Sequence, residues 1–189
     1  MVFDDCFKIN EIMKGFNKGW YIAGGWAIDL YLDKETRKHH DIEFAIARKD
    51  QLSLKEYLNE WTFNKVLKGE LTNWKNEYLE LPIHELHGRN DQTNSELEVL
   101  LNEIEFNEWK FRRDKSITCK LDSFYSFSKE GIPYLNPEIV LLYKVSNTRE
   151  KDHEDFKNVI NSLNEFQKKW LREAILRHHP NHEWLDGLN

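Results

Sequence analysis

The sequence predicts an α+β fold: a mixed sheet of about five strands with helices on one side, followed by a helical C-terminal subdomain. Three observations predict it. The apolar run Trp20-Tyr21-Ile22-Ala23 is broken by Gly24-Gly25 and passes into Trp26 to Leu32, so a buried strand, a glycine turn and a short helix follow one another. Asp41 to Ala47 and Glu96 to Glu103 read as further strands. At Leu135-Asn136-Pro137-Glu138 the pattern turns helical and stays helical. A sheet-bearing domain over residues 1–130 and a helical subdomain over 131–189 are therefore expected, with a cleft between them.

Residues 4–17 place Phe7, Ile9, Ile12, Met13 and Phe16 at helical spacing, and Gly19 ends that helix. After the strand at 41–47, Asp50 is a cap for a helix through Leu52, Leu54, Tyr57 and Leu58. Trp61 to Leu67 alternates as a third strand. Residues 68–92, with Pro82 and scattered aromatics, are compatible with strand, helix or loop. Phe106 to Arg113 reads as the hairpin partner of the strand at 96–103, with the turn near Glu105 to Asn107, and Ser116 to Leu121 is a candidate extension of the sheet. Asn136 is an N-cap with Pro137 at the first helical position. Two further helices are expected at about 150–162 and 165–178, and His182-Glu183-Trp184-Leu185 docks an aromatic onto the domain.

At 189 residues the chain is one domain, or one with a small appendage, and long enough to bury a core. The net charge of −6 argues against a general nucleic-acid binder and is compatible with a cationic small molecule. Cys6 and Cys119 fit no metal spacing and no disulfide framework, so two reduced thiols in a cytoplasmic protein are expected. No apolar run reaches transmembrane length, and Met1-Val2-Phe3-Asp4-Asp5 lacks the basic start of a signal peptide.

A strand, a glycine turn and a helix N-terminus leave backbone N–H groups pointing at one spot, which suits a phosphate. The strand period puts Asp41 and Glu43 on one face, roughly 7 Å apart. Two carboxylates beside a phosphate cradle make a magnesium–nucleotide site. Each half alone is commoner as a plain turn or a wet strand face; their order and short separation make the combination informative. Such chemistry needs a third carboxylate that also takes a proton. Glu98 is central in its strand and Glu96 shares its face by parity, against an exposed acidic face as the competing reading. Arg37, just ahead of the carboxylates, is placed to meet phosphate in fork geometry or to be a solvated loop charge. His39 and His40 point to opposite faces of an extended chain and do not chelate together; one is structural, an orienter of Asp41. No Ser/His/Asp or Cys/His arrangement is present, and the histidines at 178, 179 and 182 form a polar helix end.

Gly24-Gly25-Trp26-Ala27-Ile28-Asp29 followed by Thr36-Arg37-Lys38-His39-His40-Asp41-Ile42-Glu43 resembles the signature of the DNA-polymerase-β-like nucleotidyltransferase superfamily. Within it the chain is most similar to the small aminoglycoside and lincosamide nucleotidyltransferases. Leu97 to Leu101 with Glu108 to Asp114, and Pro137 to Lys144 with Arg149 to Phe156, carry the likeness further. The resemblance implies a sheet of the polymerase-β-like type and magnesium-dependent transfer of a nucleoside monophosphate, AMP from ATP, to a hydroxyl of a small acceptor such as an aminoglycoside. It implies Asp41, Glu43 and Glu98 as ligands of two Mg2+ ions, with Glu98 also the general base. Gly24, Gly25, Arg37 and Lys144 are the expected nucleotide-binding residues, with Lys151 a weaker candidate. Lys151, Asp152 and Asp155 otherwise read as a charged helix surface. Glu96, Glu103 and Glu105 would meet a cationic acceptor. Glutamate stands at 43 and 98 where aspartate is common in the superfamily, a side chain one methylene longer. The alternative implied function is a weak or inactive nucleotide-binding partner, such as the nucleotidyltransferase half of a toxin–antitoxin pair.

Overall fold

The computed structural model describes residues 3–188. Six α-helices run over Asp4–Met13 (α1), Gly24–Leu32 (α2), Gln51–Tyr57 (α3), Pro137–Lys144 (α4), Glu150–Val159 (α5) and Glu165–His178 (α6). The strands are Trp20–Ile22 (β1), Glu43–Ala47 (β2), Thr62–Leu67 (β3), Glu70–Asn73 (β4), Glu85–Asn90 (β5), Ser95–Glu105 (β6), Glu108–Lys110 (β7), Thr118–Lys120 (β8), Tyr125–Phe127 (β9) and Pro133–Leu135 (β10). They form one mixed sheet in the order β4-β3-β5-β6-β2-β1-β10-β9, with β7 branching from β6 and carrying β8. The pairs β2–β6 and β1–β10 are parallel, and the other pairs are antiparallel. The α+β class holds, but the sheet has ten strands where about five were expected. The surplus is β4, β5 and the short strands β8 to β10, of which β8 falls within the candidate extension at 116–121.

Strand β2 shows why the sheet sits where it does. Phe44 and Ile46 fill one face and Ala45 and Ala47 the other, all buried, so only Glu43 at its start reaches the cleft. Asp41 and Ile42 lie just before the strand rather than in it. Strand β6 is long enough to serve two partners: its first half pairs β2 and β5, its end pairs β7. The β6–β7 turn has positive φ at both Phe106 and Asn107, the backbone of a tight hairpin turn whose twist matches the strands.

Residue 131 lies in the turn between β9 and β10, and β10 pairs β1 within the sheet; the helical part begins at Pro137. Helix α4 packs on α2, α5 and α6. Asn136 occupies the N-cap position of α4, but its side chain bonds Ser126 and the Ser123 carbonyl instead of the helix, tying α4 to β9. Asp50 likewise precedes α3 with no side-chain cap. Helix α6 is closed by reciprocal 3.0 Å bonds between Asn164 and Gln167, a capping box. Trp184 docks the C-terminal turn, stacking on Phe156 at 4.5 Å. Cys6 and Cys119 are free thiols. Among the described residues no helix is long and apolar enough to cross a membrane.

Candidate active site

The parallel register of β2 and β6 makes Glu43 and Glu98 direct partners, so the two carboxylates project side by side from one face. On the other side of β6, His87 of β5 stands opposite Glu98, and Glu85 two residues earlier shares that face. His87 Nε2 lies 2.7 Å from Glu85 Oε1 and 3.8 Å from Glu98 Oε1. One ligand atom from each of Glu85, His87 and Glu98 falls within 4.8 Å of the others. Asp41 completes the group from the loop ahead of β2, where its carbonyl accepts a 3.1 Å hydrogen bond from Trp26 Nε1. Glu96 pairs instead with Arg89 at 3.3 Å on the exposed start of β6. Glu98, not Glu96, stands beside Glu43.

These carboxylates crowd one another. Burial, and then the negative charge of Glu43, push the Glu98 carboxyl up to about 7, with His87 pulling the other way. Burial also raises Glu43, against the attraction of Lys144. Crowded carboxylates whose charged forms are disfavoured suit a hard divalent cation, and the oxygen ligands of Asp41, Glu43 and Glu98 are compatible with magnesium.

The two glycines make this approach possible. Gly24 has φ +60°, and a Cβ placed on it would stand 1.7 Å from Glu43 Oε2. A Cβ on Gly25 would stand 2.3 Å from Arg37 Nη2 and 2.5 Å from His39 Cε1. Their α-carbons are thus covered by the site's own side chains, which differs from an open cradle.

Behind the carboxylates runs a buried ion network. Arg37 grips the fully buried Asp155 with both arms, at 2.8 and 3.0 Å. Lys144 reaches Asp152 at 2.5 Å and Asp155 at 3.1 Å, and Arg149 Nε meets Asp152 at 3.0 Å. This corrects two expectations. Arg37's fork is taken by a carboxylate, and Asp152 and Asp155 are buried anchors, not a solvated helix surface. The reason is local: α5 turns both aspartates inward beneath α2 and the loop at 36–41. The Lys151 side chain, among the described residues, makes no hydrogen bond or ion pair. It lines a polar hollow of about 220 Å³ with Gly25, Asp41, Glu43, Glu98 and Arg149. His39 holds Asp29, at 2.6 Å, instead of orienting Asp41, and stacks on Trp26.

An adjoining cavity of about 440 Å³ shares Glu43, Glu85, Lys144 and Arg149 with that hollow and is bounded further by Leu100, Val140, Tyr143, Arg112 and Arg113. Sequence reasoning missed Glu85 and His87 and gave Arg112 and Arg113 no role. The acidic residues expected to meet a cationic acceptor lie elsewhere. Glu103 pairs with Arg48, Glu105 with Lys110 at 3.1 Å, and Glu96 with Arg89; none lines either cavity.

Solved structures share this architecture. The lincosamide antibiotic adenylyltransferase LnuA, in a lincomycin-bound crystal structure, superposes with a TM-score of 0.58 at 16% identity, over 82% of this chain and 95% of that one. The solution structure of the antibiotic-resistance factor ANT(2'')-Ia gives 0.60 at 17% identity, covering 95% and 98%. Its crystal structure with adenylyl-2''-tobramycin gives 0.59 at 16% identity, covering 92% and 98%. No curated protein matches the chain in sequence. The fold is that of the small nucleotidyltransferases. The model of the aminoglycoside-2''-adenylyltransferase family matches residues 5–159, and the chain belongs to that family.

Proposed function

We propose that the chain transfers AMP from magnesium-bound ATP to a hydroxyl of a small-molecule acceptor, the aminoglycoside-type antibiotics named by its family being the first to test. The observation that carries this reading is the side-by-side placement of Glu43 and Glu98 at the mouth of a cleft, with Asp41 ahead of them and basic side chains behind. Asp41, Glu43 and Glu98 would hold magnesium, two ions by the family likeness, which supplies charge neutralisation at the triphosphate and acidifies the acceptor hydroxyl. Lys144, Arg149 and Lys151 face the triphosphate from the polar hollow. Arg37, with both arms on Asp155, acts as a positioning residue for that wall. Glu98 takes the proton as the acceptor oxygen bonds to the α-phosphorus, and the bond to the bridging oxygen breaks to release pyrophosphate.

The test is pyrophosphate release from ATP, GTP and UTP with magnesium, across aminoglycosides, lincosamides and polyols, for wild type and Glu98→Gln. Release that requires one acceptor, and falls by about 100-fold or more in the variant, supports the reading. Magnesium–nucleotide binding with no turnover on any acceptor would instead favour the non-transferring partner.

A further inference from the structure

Beside the magnesium carboxylates the sheet presents a donor set of different chemistry. The register pairs Glu98 with Glu43 on one side and with His87 on the other, so a row runs His87, Glu98, Glu43 across β5, β6 and β2. Glu85, two residues before His87, adds a carboxylate on the same face. His87 Nε2 lies 2.7 Å from Glu85 Oε1 and 3.8 Å from Glu98 Oε1. Among the described residues this is the one group of three histidine, cysteine, aspartate or glutamate side chains whose ligand atoms lie within 4.8 Å of one another. The three side chains are 21% to 36% exposed, open enough for an ion to enter from the cleft. Glu85 and Glu98 both line the polar hollow.

Two paired strands, not a loop, carry these groups, so their spacing is set before any ion arrives. Donor atoms on one zinc ion, at bond lengths of about 2.0–2.2 Å, stand about 3–4 Å apart. The 2.7 and 3.8 Å separations bracket that range. Magnesium prefers oxygen donors, whereas an imidazole with two carboxylates is a donor set for zinc, cobalt or manganese. We infer that Glu85, His87 and Glu98 form a site for a borderline divalent cation, zinc foremost, adjoining the magnesium position and sharing Glu98 with it. With the ion on Nε2, the imidazole carries its hydrogen on Nδ1, and water completes the coordination. The ion takes Glu98 away from the acceptor's proton, so zinc inhibits AMP transfer. That consequence rests on the transfer reading above; the site itself does not.

The experiment titrates zinc chloride by calorimetry into the protein in excess magnesium, with no nucleotide or acceptor present. Wild type, Glu85→Gln, His87→Gln, Glu43→Gln and His182→Gln are compared, each with its metal-free thermal midpoint to confirm folding. His182→Gln controls for zinc held by the histidine-rich end of α6. Nitrogen NMR of the wild type, with the His87 ring assigned, follows Nε2 directly and stands even where a variant fails to fold. The expected result is one zinc bound despite the magnesium, with the His87 Nε2 resonance displaced. Affinity falls by about 10-fold or more in Glu85→Gln and His87→Gln, the loss of one ligand, and stays within about threefold in His182→Gln. No zinc binding in excess magnesium, or an unmoved His87 resonance, overturns the inference. So does zinc that weakens more in Glu43→Gln than in His87→Gln, which would put the ion in the magnesium position. Inhibition is read as pyrophosphate release with and without saturating zinc, each protein scored against its own zinc-free rate. A wild-type rate that saturating zinc leaves unchanged overturns the inhibitory role. A wild type that binds zinc at His87 but transfers to no acceptor upholds the site and fails the transfer reading alone.

Discussion

The carboxylate of Glu43 lies against the α-carbon of Gly24, so closely that a Cβ there would stand 1.7 Å from Glu43 Oε2. The backbone of Gly24, at φ +60°, is also one that L side chains rarely adopt. Gly24→Ala is expected to displace Glu43 and to cost about 2–4 kcal/mol, the left-handed penalty plus the clash. Urea unfolding and a nucleotide titration check both effects. Gly131 is the control: its φ is +79°, but nothing lies within 4 Å of an added Cβ. Gly131→Ala should lose only about 1 kcal/mol and bind nucleotide like wild type.

Asp155 carries two cations with no exposure to solvent. Asp155→Ala leaves Arg37 half-buried without its fork partner and is expected to destabilise the protein by about 3–5 kcal/mol. The double variant Arg37→Met with Asp155→Leu should recover part of that stability, because it removes the charges together. Denaturant melts of the two variants against wild type measure the difference. Equal losses in both would mean that packing, not charge, holds this joint.

Glu138, in the first turn of α4, is buried and pushed up to about 7 by that burial, with a 2.8 Å hydrogen bond from Gln167 Nε2 on its carboxylate. Its folded pKa lies above its unfolded value of 4.5, so the folded state binds the proton more tightly between them. Stability should therefore fall as pH rises from about 4.5 to about 7 and level off above, by up to about 3 kcal/mol for this group alone. Glu138→Gln removes that slope and should be the more stable protein at pH 8. Melting temperatures of both proteins across that pH range test it.

Much of this molecule was legible in its sequence, and the failures have physical causes. The strand, glycine pair and helix at 20–32 could be read because each local signal agrees: apolar run, breaker, helical spacing. Parity puts Glu96 and Glu98 on one face without choosing between them; the choice of Glu98 comes from the family resemblance, and the β2–β6 register sets Glu98 beside Glu43. Strand β5 was illegible because its cleft face is Glu85, His87 and Arg89, and because Gly88 interrupts it. That glycine is forced: a Cβ there would stand 2.6 Å from the Phe63 ring and 2.9 Å from Leu97. Glu85 and His87 were missed with their strand. Arg37 and Asp155 were misjudged for another reason. They are 118 residues apart, and no local pattern announces a buried pair formed between a loop and a distant helix. The acidic balance misled in the same way, since Glu96, Glu103 and Glu105 each find a basic neighbour away from the cleft.

If Asp41, Glu43 and Glu98 make a magnesium-dependent nucleotide site, both the metal and each carboxylate set the nucleotide affinity. The most direct measurement is a calorimetric titration of α,β-methylene-ATP with and without magnesium, on wild type and on Glu43→Gln. The expected result is binding that requires magnesium and weakens by about 10-fold or more in the variant, the loss of one metal carboxylate. Equal affinity without magnesium, or in Glu43→Gln, would contradict it.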